Sequence, residues 1–470
     1  MSSADSLRKK YRDSYEQIRQ VYTDFPYPWL VGYSGGKDST TTLQMIWYAL
    51  AELPPEQRQK PVYVISTDTL VETPVIVDYI DETLRRINER ASEHNLPFVA
   101  QKLAPVLDDT FWVNLIGRGY PAPNNVFRWC TERLKINPSN RFILDKVAEH
   151  GEVILALGMR AGESNRRDRV IKRHRVRGHQ LSRHSRIPGA WVHMPIEHFS
   201  TNDVWNYLLS IPSPWGGDNR RLQALYRSAQ DGECPMVVDD TTPPCGNSRF
   251  GCWVCTVVDR DQSMEAMIDS GEEWMIPLLE FRDWLASTQD PAVKPEQREY
   301  RGRNGRVRIT ERGKLLWRTY TPEVSKEMLR RLLKTQTELQ EHDPDFVLVS
   351  VEELEEIRRL WLTERWDWDD SLPRIYAEVT GLTRDWMHND VSTPGRLELD
   401  LLQRVASNRN IPVRLLQELL DAEWQFYGMR RRGLIHKTIE KTMSKDWRTL
   451  EEVEAEAAKI RRTSQVEESI

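Results

Sequence analysis

The sequence predicts an α/β fold, a parallel sheet with helices on both faces. Three observations carry this: short β-rich apolar runs recur along the first part of the chain, helical patterns alternate with them, and a glycine-rich turn joins the first run to its helix. Residues 5 to 22 read as a polar helical arm. Trp29-Leu-Val-Gly-Tyr33 is the first strand, followed by Ser34-Gly-Gly-Lys-Asp-Ser39 and a helix through Leu43, Ile46, Trp47 and Leu50. Pro61-Val-Tyr-Val-Ile65 is the second strand, with Ser66-Thr-Asp-Thr-Leu70 and a helix from about Pro74 to His94 behind it. Phe98 to Leu103 and Glu152 to Leu157 supply the third and fourth, the last ending at Gly158-Met-Arg160. Strands that alternate with helices form parallel sheets covered on both faces.

Beyond residue 210 the character changes. Pro-, Gly- and Cys-rich loops without periodicity are expected to about residue 290, as in Ser213-Pro-Trp-Gly-Gly-Asp218 and Thr242-Pro-Pro-Cys245. A basic segment follows, and from residue 346 Leu, Glu, Arg and Trp recur at helical spacing, as in Val351 to Leu362 and Val413 to Phe426. The expected domains are therefore a helical arm (1–24), an α/β domain (25–210), a four-cysteine region (211–290), a basic segment (291–345) and a helical C-terminal region (346–470).

At 470 residues the chain exceeds one ordinary core, so several domains are expected. An apolar share of 39% and a charged share of 29% place it among globular proteins and exclude a disordered chain. No apolar run reaches the roughly 18 residues of a membrane span. The cationic N-terminus lacks the apolar stretch of a secretory signal, so no membrane partner and a cytoplasmic address are expected. With a net charge of -5, any grip on nucleic acid must come from local patches. Two exist: residues 165–186 and 294–318 each hold nine Lys or Arg.

Ser34, Gly35, Gly36, Lys37, Asp38 and Ser39 stand where a strand hands over to a helix. Backbone N–H groups and the helix N-terminus favour an anion there. Gly35 and Gly36 let the backbone approach a phosphate, Lys37 adds a charge, and the serines add hydroxyls. The spacing is not that of the mononucleotide P-loop, because Asp38 follows Lys37. Arg160 and Arg167 suit bidentate phosphate contacts and Glu163 suits fixing one of them. Cys130 lies between Arg128 and Arg133, charges expected to lower its pKa and favour a thiolate. Cys234, Cys245, Cys252 and Cys255 crowd into 22 residues, a metal-binding pattern that suits tetrahedral zinc and a [4Fe-4S] cluster equally on spacing alone.

The Ser34 to Ser39 loop resembles the PP-loop of the ATP pyrophosphatase superfamily, the adenine nucleotide alpha-hydrolase-like fold. That resemblance implies ATP, a Mg2+ ion sharing its charge, and transfer of AMP to an oxygen with release of pyrophosphate. Asp68-Thr69 with Glu72-Thr73 is similar to the Asp-Thr-Gly and Glu-Thr pattern of phosphoadenylylsulfate reductases, with Leu70 in place of the glycine. Gly158-x-Arg160, Glu163-Ser164 and Arg167 resemble a further pattern of that family. Arg128-Trp-Cys-Thr131 is similar to its cysteine segment, except that reductases carrying a cluster use an adjacent pair and Cys130 is single.

Longer strings resemble the sulfurtransferase family that forms the C component of the Dnd DNA phosphorothioation system. They are 29–39, Phe111 to Pro121, Phe127 to Lys135, Pro214 to Asp218 and Phe250 to Cys255, within a resemblance spanning about residues 25 to 335. A related single-stranded system has a similar enzyme. The resemblance implies ATP-dependent replacement of a DNA phosphate oxygen by sulfur, a [4Fe-4S] cluster on the four cysteines, a cysteine desulfurase as sulfur donor, and complexes with the other Dnd components. Lys37, Asp38, Cys130 and Arg160 are the expected catalytic residues. The nucleotide site is expected to add Ser34, Gly35, Gly36, Ser39, Asp68, Glu163 and Arg167 to Lys37, Asp38 and Arg160. Both basic segments would neutralise DNA phosphates.

Overall fold

A computed structural model describes residues 3–161, 180–228, 251–387, 395–409, 411–427 and 433–467. The chain divides into two compact units, one of Met1–Val106 with Asn124–Leu279, the other of Leu107–Pro123 with Glu280–Ile470.

The first unit holds a six-stranded sheet in the order β3-β2-β1-β4-β6-β5. Its strands are β1 (Trp29–Gly32), β2 (Val62–Thr67), β3 (Phe98–Leu103), β4 (Val153–Ala156), β5 (Ser182–Arg183) and β6 (Ala190–His193). All neighbours pair in parallel except β5, which runs antiparallel to β6. The four expected strands are present. The two short ones, β5 and β6, fall in and beside the first basic run, where charge hides the β signal. Helices α1 (Ser3–Asp24), α2 (Lys37–Ala51), α3 (Pro74–Glu93), α4 (Asn137–His150) and α5 (Thr201–Ser210) accompany the sheet.

Central β1 and the helix after it are buried nearly all round. Trp29, Val31, Leu43, Ile46 and Leu50 share one core with Ile18 and Tyr22 of α1. Trp47 stacks on Phe98 at 4.7 Å and meets Trp215 edge-on at 6.1 Å. Such aromatic pairs add about 0.5–1.5 kcal/mol beyond their burial. Trp215 explains the Pro214-Trp-Gly-Gly-Asp218 string: the indole plugs the core, Gly216 turns at φ 80°, and Asp218 accepts the Arg220 N–H at 2.8 Å as α6 (Asn219–Ser228) begins. The stretch expected to be loops thus contains helices, α6, α7 (Gln262–Asp269) and α8 (Ile276–Ser287). An aspartate at the head of each of the first two supplies the start: Asp261 accepts the Met264 N–H at 3.1 Å.

The second unit is largely helical, with α9 (Pro322–Gln340), α10 (Val351–Glu364) and α11 (Ser371–Thr380) followed by α12 (Arg396–Arg409), α13 (Val413–Gln425), α14 (Gly433–Met443) and α15 (Leu450–Glu467). Ser350 and Glu353 form a reciprocal capping box on α10. The Phe111 to Pro121 string is built into this unit. Trp112 Nε1 donates to the Leu348 carbonyl at 2.7 Å, and Trp361 Nε1 to that of Ile116 at 3.0 Å. Gly117 admits Leu360, whose Cδ1 would lie 2.9 Å from an added Cβ. No helix among the described residues is long and apolar enough to cross a membrane.

Candidate active site

Because β2, β1 and β4 are adjacent and parallel, the segments leaving their carboxyl ends converge: Ser34–Ser39 after β1, Asp68–Glu72 after β2, and Gly158–Arg160 after β4. Successive connections diverge from β1 to its two neighbours, the topological switch point where open α/β sheets bind ligands.

Gly35 adopts φ 72°, and Gly36 occupies the N-cap of α2. A Cβ on Gly36 would come within 3.2 Å of the Tyr226 hydroxyl. That hydroxyl accepts the Lys37 N–H at 3.2 Å, and the Lys37 ammonium lies 5.1 Å from the centre of its ring. Ser39 Oγ donates to the Gly36 carbonyl at 2.9 Å and accepts the Ser34 N–H at 3.2 Å, closing the loop on itself. Thr40, Thr41 and Thr42 turn their hydroxyls back to the carbonyls of Gly36, Lys37 and Asp38 at 2.9, 2.9 and 3.0 Å, which hides three polar side chains on a buried helix.

Asp38 unites the cations. Lys37 Nζ lies 3.2 Å from one carboxylate oxygen, and Arg160 Nε donates to the other at 2.7 Å. Arg160 also donates to Thr201 Oγ1 at 3.2 Å. Arg160 is thus fixed by Asp38 and Thr201, while Glu163 and Arg167 lie outside the described residues. One carboxylate between two cations leaves a net positive charge at the head of α2. Gly158 makes this possible: an added Cβ would sit 2.7 Å from the Asp38 carbonyl oxygen and 2.9 Å from the Ser39 nitrogen.

At the end of β2, Asp68 accepts the Leu70 N–H at 2.8 Å and Lys102 Nζ at 3.1 Å, and Lys102 also pairs with Asp81. Leu70, where the reductase pattern has glycine, keeps the left-handed backbone with φ 63° and exposes its side chain. The next residues dock the cysteine segment. Thr73 N and Oγ1 both donate to the Gly251 carbonyl, Trp253 N donates to that of Val71, and Thr69 Oγ1 lies 3.3 Å from Cys252 Sγ. Lys135 reaches Glu72 at 3.2 Å from the segment that bears Cys130.

Three cysteines therefore gather near one strand end. Burial first, and Cys255 second, push the Cys130 thiol above the ordinary cysteine range, with Thr131 and Lys135 only partly opposing them. This corrects the expectation that Arg128 and Arg133 favour its thiolate; Arg128 turns to Asn125 instead, at 2.8 Å. Burial likewise pushes Cys252 up to about 12 against the pull of Lys135. Burial opposes the charge of Lys135, but Cys252, Glu72 and Cys130 together raise its pKa. Cys234 and Cys245 lie outside the described residues. Among the described residues no group of three or more His, Cys, Asp or Glu side chains is arranged to hold a metal. Cys252 and Cys255 still supply two half-buried soft donors, on a turn closed by Cys255 N to the Cys252 carbonyl at 3.0 Å. Sequence reasoning missed Tyr226, Thr201, Lys102 and Lys135 as site residues. The Ser200 to Asp203 capping box marks a helix start beside Thr201, while Tyr226 carries no local signal.

Residues 28–257 match the family model described as the phosphoadenosine phosphosulfate reductase domain. Uncharacterized protein MJ0066 of Methanocaldococcus jannaschii is 28% identical over 252 residues, which are 53% of this chain and 41% of that protein's length. Similar solved structures include phosphoadenylyl-sulfate reductase from Candida auris (15% identity, 48% of this chain and 93% of that one, TM-score 0.29). Another is the U34-tRNA thiolase NcsA from Methanococcus maripaludis with its [4Fe-4S] cluster (13% identity, 49% and 75%, TM-score 0.29). Scores this low carry no weight for mechanism. Residues 28–257, just under half of the chain, are thus similar to the phosphoadenosine phosphosulfate reductase domain, and they carry a mostly parallel sheet with a glycine loop at the head of α2.

Proposed function

We propose that this chain is an ATP-dependent sulfurtransferase that converts a phosphate of the DNA backbone into a phosphorothioate. One observation carries the reading: the cationic glycine loop after β1 and three thiols docked against the segment that follows β2 lie at the carboxyl edge of one sheet. The superfamily is one of nucleotide-using enzymes, and a loop of this kind favours a departing pyrophosphate.

In the proposed reaction a non-bridging oxygen of the DNA phosphate attacks the α-phosphorus of ATP. Pyrophosphate leaves, and the backbone phosphate carries AMP. Lys37, the α2 N-terminus and Arg160 stabilise the charge that builds on the leaving group. Asp38 holds both cations in place. The terminal sulfur of a cysteine persulfide, with Cys130 as the proposed carrier, then attacks the backbone phosphorus and expels AMP. A thiol reductant cleaves the resulting S–S bond, which leaves sulfur on phosphorus and a disulfide to be reduced again. A cysteine desulfurase would charge the persulfide, and other Dnd components would be the physiological partners.

Mg2+ would arrive with the nucleotide and take most of its ligands from phosphates and water, since Asp38 and Asp68 already bind cations. Cys252 and Cys255, with Cys234 and Cys245, would hold the [4Fe-4S] cluster, which would supply sulfur-ligated iron beside the strand ends.

A second reading is favoured by the description of the matched domain: a sulfonucleotide reductase. Sulfite release from phosphoadenylylsulfate would establish it. The deciding test of the first is mass spectrometry of nuclease-digested DNA from cells carrying the wild-type chain or Lys37→Ala. Sulfur-containing dinucleotides are expected with the wild type alone, and their absence from a host with the full system refutes the proposal.

A further inference from the structure

In the second unit the basic segment opens with a short helix, Lys294–Gln297, and residues 298–320 follow as a small meander of extended stretches. Isolated bridges join them: Arg301 with Val307, Ile309 with Leu315, and, closing the two ends, Arg298 with Tyr320. Backbone hydrogen bonds fix the register between these bridges: Gly302 N to Arg306 O at 2.9 Å, Leu316 N to Arg308 O at 3.0 Å, Thr310 N to Lys314 O at 2.9 Å, and Arg318 N to Glu299 O at 2.8 Å. Side chains alternate along extended backbone, so residues opposite one another share a face. In this register Tyr300, Arg306, Arg308, Thr310, Lys314, Leu316 and Arg318 lie on one face.

The meander is anchored from its other side, from its ends and at Tyr300, whose hydroxyl donates to the Arg448 carbonyl at 2.9 Å. Arg298 is buried, with its guanidinium 4.8 Å from the Tyr320 ring. Arg301 stacks on Trp447 at 4.9 Å, and Asp446 N donates to the Gly305 carbonyl at 2.9 Å. Three acids act on Tyr300: Glu299 beside it in the chain, Asp446, which binds Arg448 at 2.6 Å, and Glu452, which accepts the Thr449 N–H at 2.8 Å. Arg303 is paired with Glu364.

The four cations of the shared face differ from these. Arg306, Arg308 and Lys314 are exposed, and among the described residues none of them, nor Arg318, forms an ion pair with a carboxylate. Arg318 Nε is buried without a hydrogen-bond partner. Lys294 feels the same excess: burial, Arg298 and Lys314 hold it below the ordinary lysine range. Neighbouring cations that no carboxylate pairs with among the described residues raise the energy of the fold unless an anion settles on them. A row of guanidinium and ammonium groups on a rigid twisted ribbon fits a row of phosphates.

We infer that the Arg306, Arg308, Lys314 and Arg318 face of this meander binds the phosphodiester backbone of nucleic acid. The inference rests on the reading of the substrate as DNA, and it assigns the grip to this face. Charge of this kind positions a polymer without reading its sequence.

The test is fluorescence anisotropy of labelled duplex DNA, single-stranded DNA and RNA of equal length with the full chain, over a salt series and without ATP. Omitting ATP separates this inference from the catalytic one, because loss of nucleotide chemistry leaves the readout unchanged. Wild type is compared with the combined Arg306→Gln, Arg308→Gln and Lys314→Gln variant. A second combined variant, Arg8→Gln, Lys9→Gln and Arg12→Gln, removes the same charge from exposed positions of α1. For the polymer bound most tightly, the first variant is expected to lose on the order of tenfold in affinity, and the slope of log affinity against log salt to fall by about 0.9 per removed contact. The α1 variant, which leaves the meander face intact, is expected to stay within about twofold. Equal losses in both variants, an unchanged slope in the first, or no binding of wild type to any of the three polymers would overturn the inference.

Discussion

The loop after β1 and the meander at 298–320 both present cations, yet they are built in opposite ways. In the loop, Lys37 and Arg160 are buried, and both lean on one carboxylate. In the meander, Arg306, Arg308 and Lys314 stand in solvent, and among the described residues none has an acid partner. The first arrangement suits chemistry, because charges fixed in a low dielectric need little reorganisation when charge shifts in a transition state. The second suits sliding attachment to a polymer, since exposed charges act through counterion release and fade with salt. Under the proposed function, the loop would hold a reacting phosphate firmly and the meander a long polyanion loosely.

The sharpest way to break the comparison is at its buried half. Lys37→Ala should lower the release of pyrophosphate from ATP by about 10²–10³-fold, the usual effect of deleting one preorganised charge donor. An enzyme-coupled pyrophosphate assay on the variant with its partners would check this, and a loss below tenfold would move the loop out of the chemistry.

Next is the sheet beneath the loop. His193 is fully buried against Trp29 at 5.4 Å, and burial lowers its pKa to about 4. Among the described residues neither ring nitrogen makes a full hydrogen bond, and the Gln180 backbone only weakly opposes burial. The folded state therefore keeps the ring neutral while the unfolded chain takes up a proton below about pH 6.5. Stability should fall as pH drops from about 6.5 to about 4, by up to about 3 kcal/mol at 1.36 kcal/mol per unit. Denaturant titrations of wild type and His193→Phe would show it, the variant losing that part of the pH dependence.

Gly158→Ala comes third, at about 1–3 kcal/mol of stability, because its Cβ would meet the backbone of Asp38 and Ser39. Thermal unfolding gives the cost, and pyrophosphate release in the same variant shows whether displacing α2 disturbs Lys37. The smallest effect is at Leu70, held at φ 63°. Leu70→Gly should stabilise by about 1 kcal/mol or less, relief of the left-handed strain being partly offset by glycine's freedom in the unfolded chain.

Much of the first unit was legible because its signals are local. Strand Phe98–Leu103 was bounded by sequence alone, and α3 began at the expected Pro74. Ser34–Ser39 was recognisable since a strand, two glycines and a helix occur in one short stretch. Arg160 was found by its place after β4, but its partner was not: the Asp38 contact depends on which strands lie side by side, and that order is not written in any window. Cys130 shows the opposite failure. Arg128 and Arg133 are neighbours in sequence, whereas burial and then Cys255, 125 positions away, act on the thiol in the fold. Helix α6 was missed because Pro214-Trp-Gly-Gly reads as a loop and only the buried Trp215 shows what it is for.

The Phe111 to Pro121 string has a practical consequence. It is encoded inside the first unit yet is part of the second, with Trp112 tied to Leu348 and Ile116 to Trp361. A chain cut after Leu279 would keep Phe111, Trp112, Leu115 and Ile116 and lose the helices that bury them. Those side chains would then face water and invite aggregation. No single cut in the chain yields the nucleotide-loop unit by itself; a soluble version of it would require replacing 107–123 with a short polar link.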